Sequence, residues 1–196
     1  MTIAEPANLQ RRPVAAVVLA AGGGSRFDGD CHKLLADFRG RPVVSWVLDS
    51  VCSAGFDTVY ITTGAVDLTD HIPAGVIQIP VPDWAEGQSR SLQAAVARAE
   101  QDGHGALVIG LGDQPLVPPA AWRSVGASAG AIVTATFDGK RRPPVKLDST
   151  VWPLLPTEGD DGARLLIQTR PELVFEVPCR GNPVDIDTTE DLHKWN

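Results

Sequence analysis

Paired cysteines are missing from this 196-residue chain. Cys31, Cys52 and Cys179 are odd in number and form no C-x-x-C unit, which argues against a disulfide framework or a zinc site and for a reducing cytoplasm. Long apolar runs are missing too. No stretch approaches the roughly 20 apolar residues of a membrane-spanning helix. Residues 1–13 lack the apolar segment of a secretion signal, so they read as a flexible polar tail. Positive charge is in short supply: 17 Lys and Arg against 24 Asp and Glu leave a net charge of −7, which makes nucleic acid or an anionic membrane surface an unsuitable partner. There is no internal repeat and no dividing linker, so residues 14–196 are expected to form one domain. What the chain does have is an ordinary globular composition, 43% hydrophobic and 21% charged, which excludes disordered and collagen-like classes.

The organising stretch begins where the apolar run over residues 14–18 ends. Residues 19–33 read LAAGGGSRFDGDCHK. A buried strand that empties into three glycines, with Arg26 and Lys33 beyond, suits phosphate. Glycine lets backbone N–H groups approach an anion closely, and two cations neutralise the charge that amides cannot. Three familiar loops fail here. A dinucleotide fingerprint counted from Gly22 needs Gly where Phe27 stands, a Walker loop over residues 24–29 needs Lys where Asp30 stands, and a hydrolase elbow around Ser25 needs Gly where Phe27 stands.

Further along, Pro42 opens a helical pattern in which Val43, Val44, Val47, Leu48 and Val51 recur at spacings of three and four until Gly55. Residues 58–63 are β-branched and predict a second strand, and residues 76–81 a third, with a short helix or loop between them. Residues 91–102 predict a helix with Leu92, Ala95, Val96 and Ala99 on one face, and residues 106–111 a central strand. Strand and helix in alternation predict a parallel sheet with right-handed crossovers. Past Pro115 the pattern gives a helix over 119–127, a strand over 132–137 that turns at Asp138-Gly139, and a short strand over 145–147 after Pro143-Pro144. A helix over 161–168, a strand over 173–177 and a last helix capped by Thr188, with Asp191 three residues on, complete the chain. Trp46 and Trp122 fall on apolar helix faces and read as core. His71, His104 and His193 sit in polar surroundings and read as exposed, while His32, beside Lys33, is a candidate phosphate contact.

Three more stretches offer chemistry. Gly110-Leu111-Gly112-Asp113-Gln114-Pro115 puts a carboxylate just past the carboxyl end of an apolar strand, where ligands bind in open α/β sheets; the plainer reading is that Asp113 caps the next helix. Asp185 and Asp187 are spaced i and i+2 and point the same way in an extended segment. The run 84–92, WAEGQSRSL, leads into a helix whose small hydroxyls suit a base edge or ribose, with capping by Ser89 as the compatible alternative. Residues 140–146, KRRPPVK, are the one dense basic cluster, either a clamp for an acceptor phosphate or a solvated turn.

The L-A-A-G loop with Arg26 and Lys33, the GDQP element, WAEGQSRSL and the closing DIDTTEDL together resemble the MobA-like nucleotidyltransferases, and within them the molybdenum-cofactor cytidylyltransferases. The chain departs from the pattern in a longer spacing from Arg26 to Lys33, in Pro143 where relatives tend to carry His, and in Thr189 where they carry Pro. The resemblance implies a three-layer α/β/α fold with a mostly parallel, Rossmann-like sheet of the nucleotide-diphospho-sugar transferase, or glycosyltransferase-A, type. It implies Mg²⁺-dependent transfer of CMP from CTP to the terminal phosphate of molybdopterin with release of pyrophosphate, in the cytoplasm. On that reading Leu19, Ala20, Ala21, Gly22, Gly23, Arg26, Lys33, Thr63, Gly87, Ser89, Ser91 and Asp113 hold the nucleotide. Arg26, Lys33 and Asp113 are catalytic, Asp113 and Asp185 hold Mg²⁺ with Asp187 as the alternative second ligand, and Arg142 and Arg164 face a phosphorylated pterin acceptor. A molybdenum hydroxylase would receive the product. The alternatives are GTP as donor, a sugar phosphate or phospholactate as acceptor, or a non-catalytic protein that delivers the pterin cofactor to a hydroxylase.

Overall fold

The protein is described by a computed structural model over residues 13–196; the tail read over residues 1–13 lies outside the described residues except for Pro13. Strand β1 (Val14–Leu19) has Ala15 and Val17 on one side and Ala16 and Val18 on the other, and all four are fully buried. A strand covered on both faces reads as an unbroken apolar run, as this one does.

Strand β1 lies in the interior of a seven-stranded sheet, third from one edge. After a two-residue hairpin, β2 (Asp37–Phe38) and β3 (Arg41–Pro42), come helix α1 (Val43–Cys52), β4 (Val59–Thr63), β5 (Ile77–Pro80), α2 (Gln88–Gln101) and β6 (Ala106–Leu111). Helix α3 (Pro119–Ala127), β7 (Ile132–Phe137), β8 (Lys140–Asp148), α4 (Ala163–Thr169), β9 (Val174–Pro178) and α5 (Thr189–Trp195) follow. The sheet order is β5-β4-β1-β6-β8-β7-β9, and only β8 runs against its neighbours. Helices α1 and α3 cover the face that carries Ala16 and Val18; α2 and α4 cover the face that carries Ala15 and Val17. This is the expected three-layer, mostly parallel arrangement. The chain leaves β1 toward β4 on one side and returns to β6 on the other, so the two loops diverge and open a crevice at the strands' carboxyl ends.

Four details differ from the sequence reading. The strand expected over 145–147 is the long strand β8, which passes through a cis Pro143-Pro144 peptide. The prolines fit because β6 pairs only from Val145 onward and the β7 register shifts between Thr134 and Ala135, so no ladder donor is required of them. His104 is buried, not exposed: Gly103 turns with φ +80°, the His104 amide donates to Ala99 O at 2.9 Å, and the ring sits edge-on to Tyr60. Trp122 is core as expected, but Trp46 is only half-buried, with Nε1 donating to Phe38 O at 2.8 Å. The hairpin β2–β3, whose Arg39 and Gly40 both have positive φ, had no apolar periodicity to announce it.

Candidate active site

The glycine loop is shaped by what lies on it. Ala20 N donates to Thr62 Oγ1 at 3.1 Å, and Ala65 N donates to Ala21 O at 3.0 Å, which ties the start of the loop to the end of β4. A methyl group on Gly23 would stand 2.8 Å from the Trp84 ring, and one on Gly64 would stand 2.8 Å from both Ala21 O and the Trp84 ring. Trp84 therefore lies flush against the loop, and glycine is required at both points. Gly24, at φ +61°, begins a turn closed by Phe27 N donating to Gly24 O.

Residues 27–32 do not line the cleft: Phe27 packs against the cluster of Phe38, Val43 and Ile186, Asp28 accepts from Thr189 Oγ1 at 2.7 Å, and Lys33 returns to the floor. Its Nζ donates to Asp113 Oδ2 at 2.6 Å and to Asp187 Oδ1 at 2.7 Å, with the three side chains 13%, 16% and 23% exposed. Arg26 reaches the other Asp187 oxygen at 3.1 Å. Burial works against the Lys33 ammonium, but Asp113 and Asp187 outweigh it and hold its pKa above the ordinary lysine range. Ile186 N donates to Asp113 O at 2.9 Å and so brings the closing segment beside the GDQP turn. Pro118, not Asp113, occupies the N-cap of α3.

Asp185 is half-buried and accepts from Gln114 Nε2 at 2.8 Å. Burial, then the charge of Asp113, push its carboxyl above the usual carboxylate range, against the pull of the Gln114 hydrogen bond. Asp113 Oδ1 is buried with no hydrogen-bond partner. An unsatisfied carboxylate oxygen beside a carboxyl whose ionisation is opposed fits a cation. Among the described residues no group of three or more His, Cys, Asp and Glu gathers as an all-protein metal cage. Mg²⁺ does not need one, since one or two carboxylates with substrate phosphates and water complete its shell.

Around these groups lies a cleft of about 1250 Å³. Leu19, Ala20, Ala21, Gly22, Gly23, Arg26, Lys33, Gly87, Ser91, Asp113, Asp185, Arg142 and Arg164 all line it, as do Asp187 and Gln114. Thr63 and Ser89 do not line it. Thr63 ends β4 and spends its carbonyl on Val81 N. Ser89 is fully buried, with its hydroxyl donating to Glu158 O and its amide to Gly159 O, so it neither faces the cleft nor caps α2. His32 also turns away: Leu34 N donates to its Nδ1 at 3.3 Å, and Nε2 lies 3.0 Å from Gly22 O, so the ring fastens the loop. Burial holds its imidazole below the usual range. Of the basic cluster, Arg141 and Arg142 both line the cleft, and Arg141 also pairs with Glu176 at 2.7 Å.

Sequence reasoning missed Gln88, Asp160 and Gln168, which also line the cleft, and the hydrogen bond from Gln114 to Asp185. These contacts span long sequence separations, and no local pattern marks them. Among the described residues no helix is long and apolar enough to cross a membrane.

Comparison with known proteins places this geometry in a family. The chain is 35% identical over 111 residues to the bifunctional protein GlmU of Zymomonas mobilis, which covers 55% of this chain but only 25% of that protein. PucB, a purine catabolism protein of Bacillus subtilis, is 30% identical over 92% of this chain and 95% of its own length. Nicotine blue oxidoreductase of Paenarthrobacter nicotinovorans is 28% identical with the same coverage of both chains. Among solved structures, Rv0371c of Mycobacterium tuberculosis in complex with manganese superposes with a TM-score of 0.75 at 28% identity, over 93% of this chain and 97% of that one. The model of the MobA-like NTP transferase domain matches residues 16–174, a span that holds the glycine loop, Lys33 and Asp113, and the chain belongs to that family.

Proposed function

We propose that this MobA-like nucleotidyltransferase transfers CMP from CTP to the terminal phosphate of molybdopterin, in the cytoplasm, and that a molybdenum hydroxylase receives the product. The observation that carries this reading is the meeting of Lys33, Arg26, Asp113, Asp185 and Asp187 at one end of a cleft large enough for a nucleotide and a second ligand. The buried Ala21 in the L-A-A-G loop supports the smaller pyrimidine base, because a glycine there would leave more room.

In the reaction an oxygen of the acceptor phosphate bonds to the α-phosphorus of CTP. The bond from that phosphorus to the bridging oxygen breaks, and pyrophosphate leaves with the electron pair. A phosphate monoester is already anionic near neutral pH, so no side chain has to remove a proton, and no histidine lines the cleft. The work left to the protein is positioning and charge stabilisation. Arg26 and Lys33 stand where they can pass from carboxylates to the departing phosphates, and the glycine loop admits the triphosphate close to backbone. Arg142 and Arg164, which also line the cleft, hold the acceptor's phosphate. Asp113, with its unpartnered Oδ1, and Asp185 would hold Mg²⁺, which would supply charge neutralisation on the phosphates.

Thermal unfolding with CTP, GTP or UTP, each with and without Mg²⁺, tests the donor. A ligand at a hundred times its Kd stabilises by about 2.7 kcal/mol. The expected result is a Mg²⁺-dependent shift largest with CTP; a larger shift with GTP would reverse the base assignment.

A further inference from the structure

We propose that Gln114 is a positioning residue whose buried carboxamide holds Asp185 beside Asp113, so that the pair receives a divalent cation as one unit. The inference rests on the reading of Asp113 and Asp185 as metal ligands, and it gives a task to a side chain that neither the motif nor the mechanism above uses.

Gln114 is 3% exposed. Its Nε2 donates to Asp185 Oδ1 at 2.8 Å and to Pro183 O at 3.3 Å, so both of its hydrogens go to the closing segment. Among the described residues no other hydrogen bond holds the Asp185 carboxylate. The backbone on either side is fixed as well: Ile186 N donates to Asp113 O at 2.9 Å, and Gln114 N donates to Leu111 O at 3.4 Å at the end of β6. Two segments 71 residues apart in sequence are thus joined at adjacent positions, and their carboxylates face one cleft.

The chemistry requires glutamine. Two carboxylates in a half-buried cleft repel, and an uncharged donor can hold one of them without a cation of its own that would compete with the metal. Glutamate would add a third negative group, methionine would supply no donor, and asparagine would withdraw the amide by one methylene. Outer residues of this kind typically change metal affinity by roughly 10- to 100-fold when replaced. Because both amide hydrogens go to residues 183 and 185, the side chain has no hydrogen left to donate to the nucleotide base.

The test is Mn²⁺ binding to the whole protein, followed by the loss of the free-ion paramagnetic resonance signal, for wild type, Gln114→Met, Asp185→Asn and the double variant. Circular dichroism and thermal melts confirm that each is folded. The expected result is wild-type binding, a loss of roughly 10-fold or more in Gln114→Met, and a double variant no worse than Asp185→Asn alone. Gln114→Asn, the gentler change, is expected to lose affinity in the same direction and serves if Gln114→Met does not fold. Wild-type affinity in Gln114→Met, or losses that add independently, would overturn the role of Gln114 while leaving the metal site standing. Absence of Mn²⁺ binding by wild type would overturn the metal site and the inference together. Nucleotide preference gives a second arm: CTP and GTP should compete in Gln114→Met as they do in wild type, and a change in their ratio would show that the side chain reads the base.

Discussion

Lys33→Met removes an ammonium that bridges two carboxylates on the cleft floor. In wild type Nζ lies 2.6 Å from Asp113 and 2.7 Å from Asp187, with all three side chains less than a quarter exposed. Removing one partner of a fully buried pair costs about 3–5 kcal/mol, whereas an exposed pair is worth about 0–1 kcal/mol. This partly wetted triad should fall between, at about 2 kcal/mol, or about 4–8 °C in Tm for a chain of this size. Because the lost charge is positive, Mg²⁺ or Mn²⁺ should recover much of the deficit. The variant should melt lower than wild type in chelator yet gain more from added metal, while nucleotide transfer falls roughly 100- to 1000-fold. The pH dependence has a defined sign. The pKa of Lys33 is raised by folding, so its contribution is complete below the unfolded value near about 10.4 and is lost only as pH rises through the higher folded value. The gap between variant and wild type should therefore stay constant from roughly pH 6 to 9. Scanning calorimetry with chelator and with Mn²⁺ decides the matter: a variant that melts with wild type and gains no more from metal would refute the view that Lys33 holds the carboxylates together.

Other expectations concern the frame that carries the site. A methyl group on Gly110 of β6 would overlap the buried Trp122 ring, so Gly110→Ala should destabilise by about 1–3 kcal/mol, read by denaturant unfolding; an unchanged midpoint would mean that Trp122 can retreat. Thr188 caps α5 by accepting from Asp191 N, and its hydroxyl donates back to the Asp191 carboxylate, so Thr188→Val should cost about 1 kcal/mol. That hydroxyl is the main reason the Asp191 carboxyl lies below its usual range, a contribution present above the unfolded carboxylate pKa and lost as pH falls through the folded one. In Thr188→Val the carboxyl should titrate at higher pH by NMR, and an unmoved titration would reassign the cause.

Local pattern made much of this molecule legible. The apolar run of β1, the periodic faces of α1 and α2 and the capping signal at Thr188 each reflect short-range geometry, and each lies where its residues predict. The long spacing from Arg26 to Lys33 was not interpretable from sequence, because only the turn at Gly24 and the way Lys33 comes back to Asp113 show that the extra residues leave the cleft. Pro143 and Pro144 pointed to a short strand, since proline cannot donate; the gap in both ladders that accommodates them is a property of three strands at once. Ser89 sits in a promising motif yet faces inward, because the backbone at residues 158 and 159 packs against the start of α2, with Glu158 O accepting from its hydroxyl and Gly159 O from its amide. Gln114 and Asp185 lie 71 residues apart, and only folding could bring them together.

The central claim is tested most directly by pyrophosphate release from CTP with Mg²⁺ and molybdopterin, measured for wild type and for Asp113→Asn, which keeps the side chain's size and removes its charge. The account predicts release that needs both Mg²⁺ and the pterin, is faster with CTP than with GTP or UTP, and falls at least 100-fold in a variant that still folds. Wild-type turnover by Asp113→Asn, or no release from any nucleotide by wild type, would contradict it.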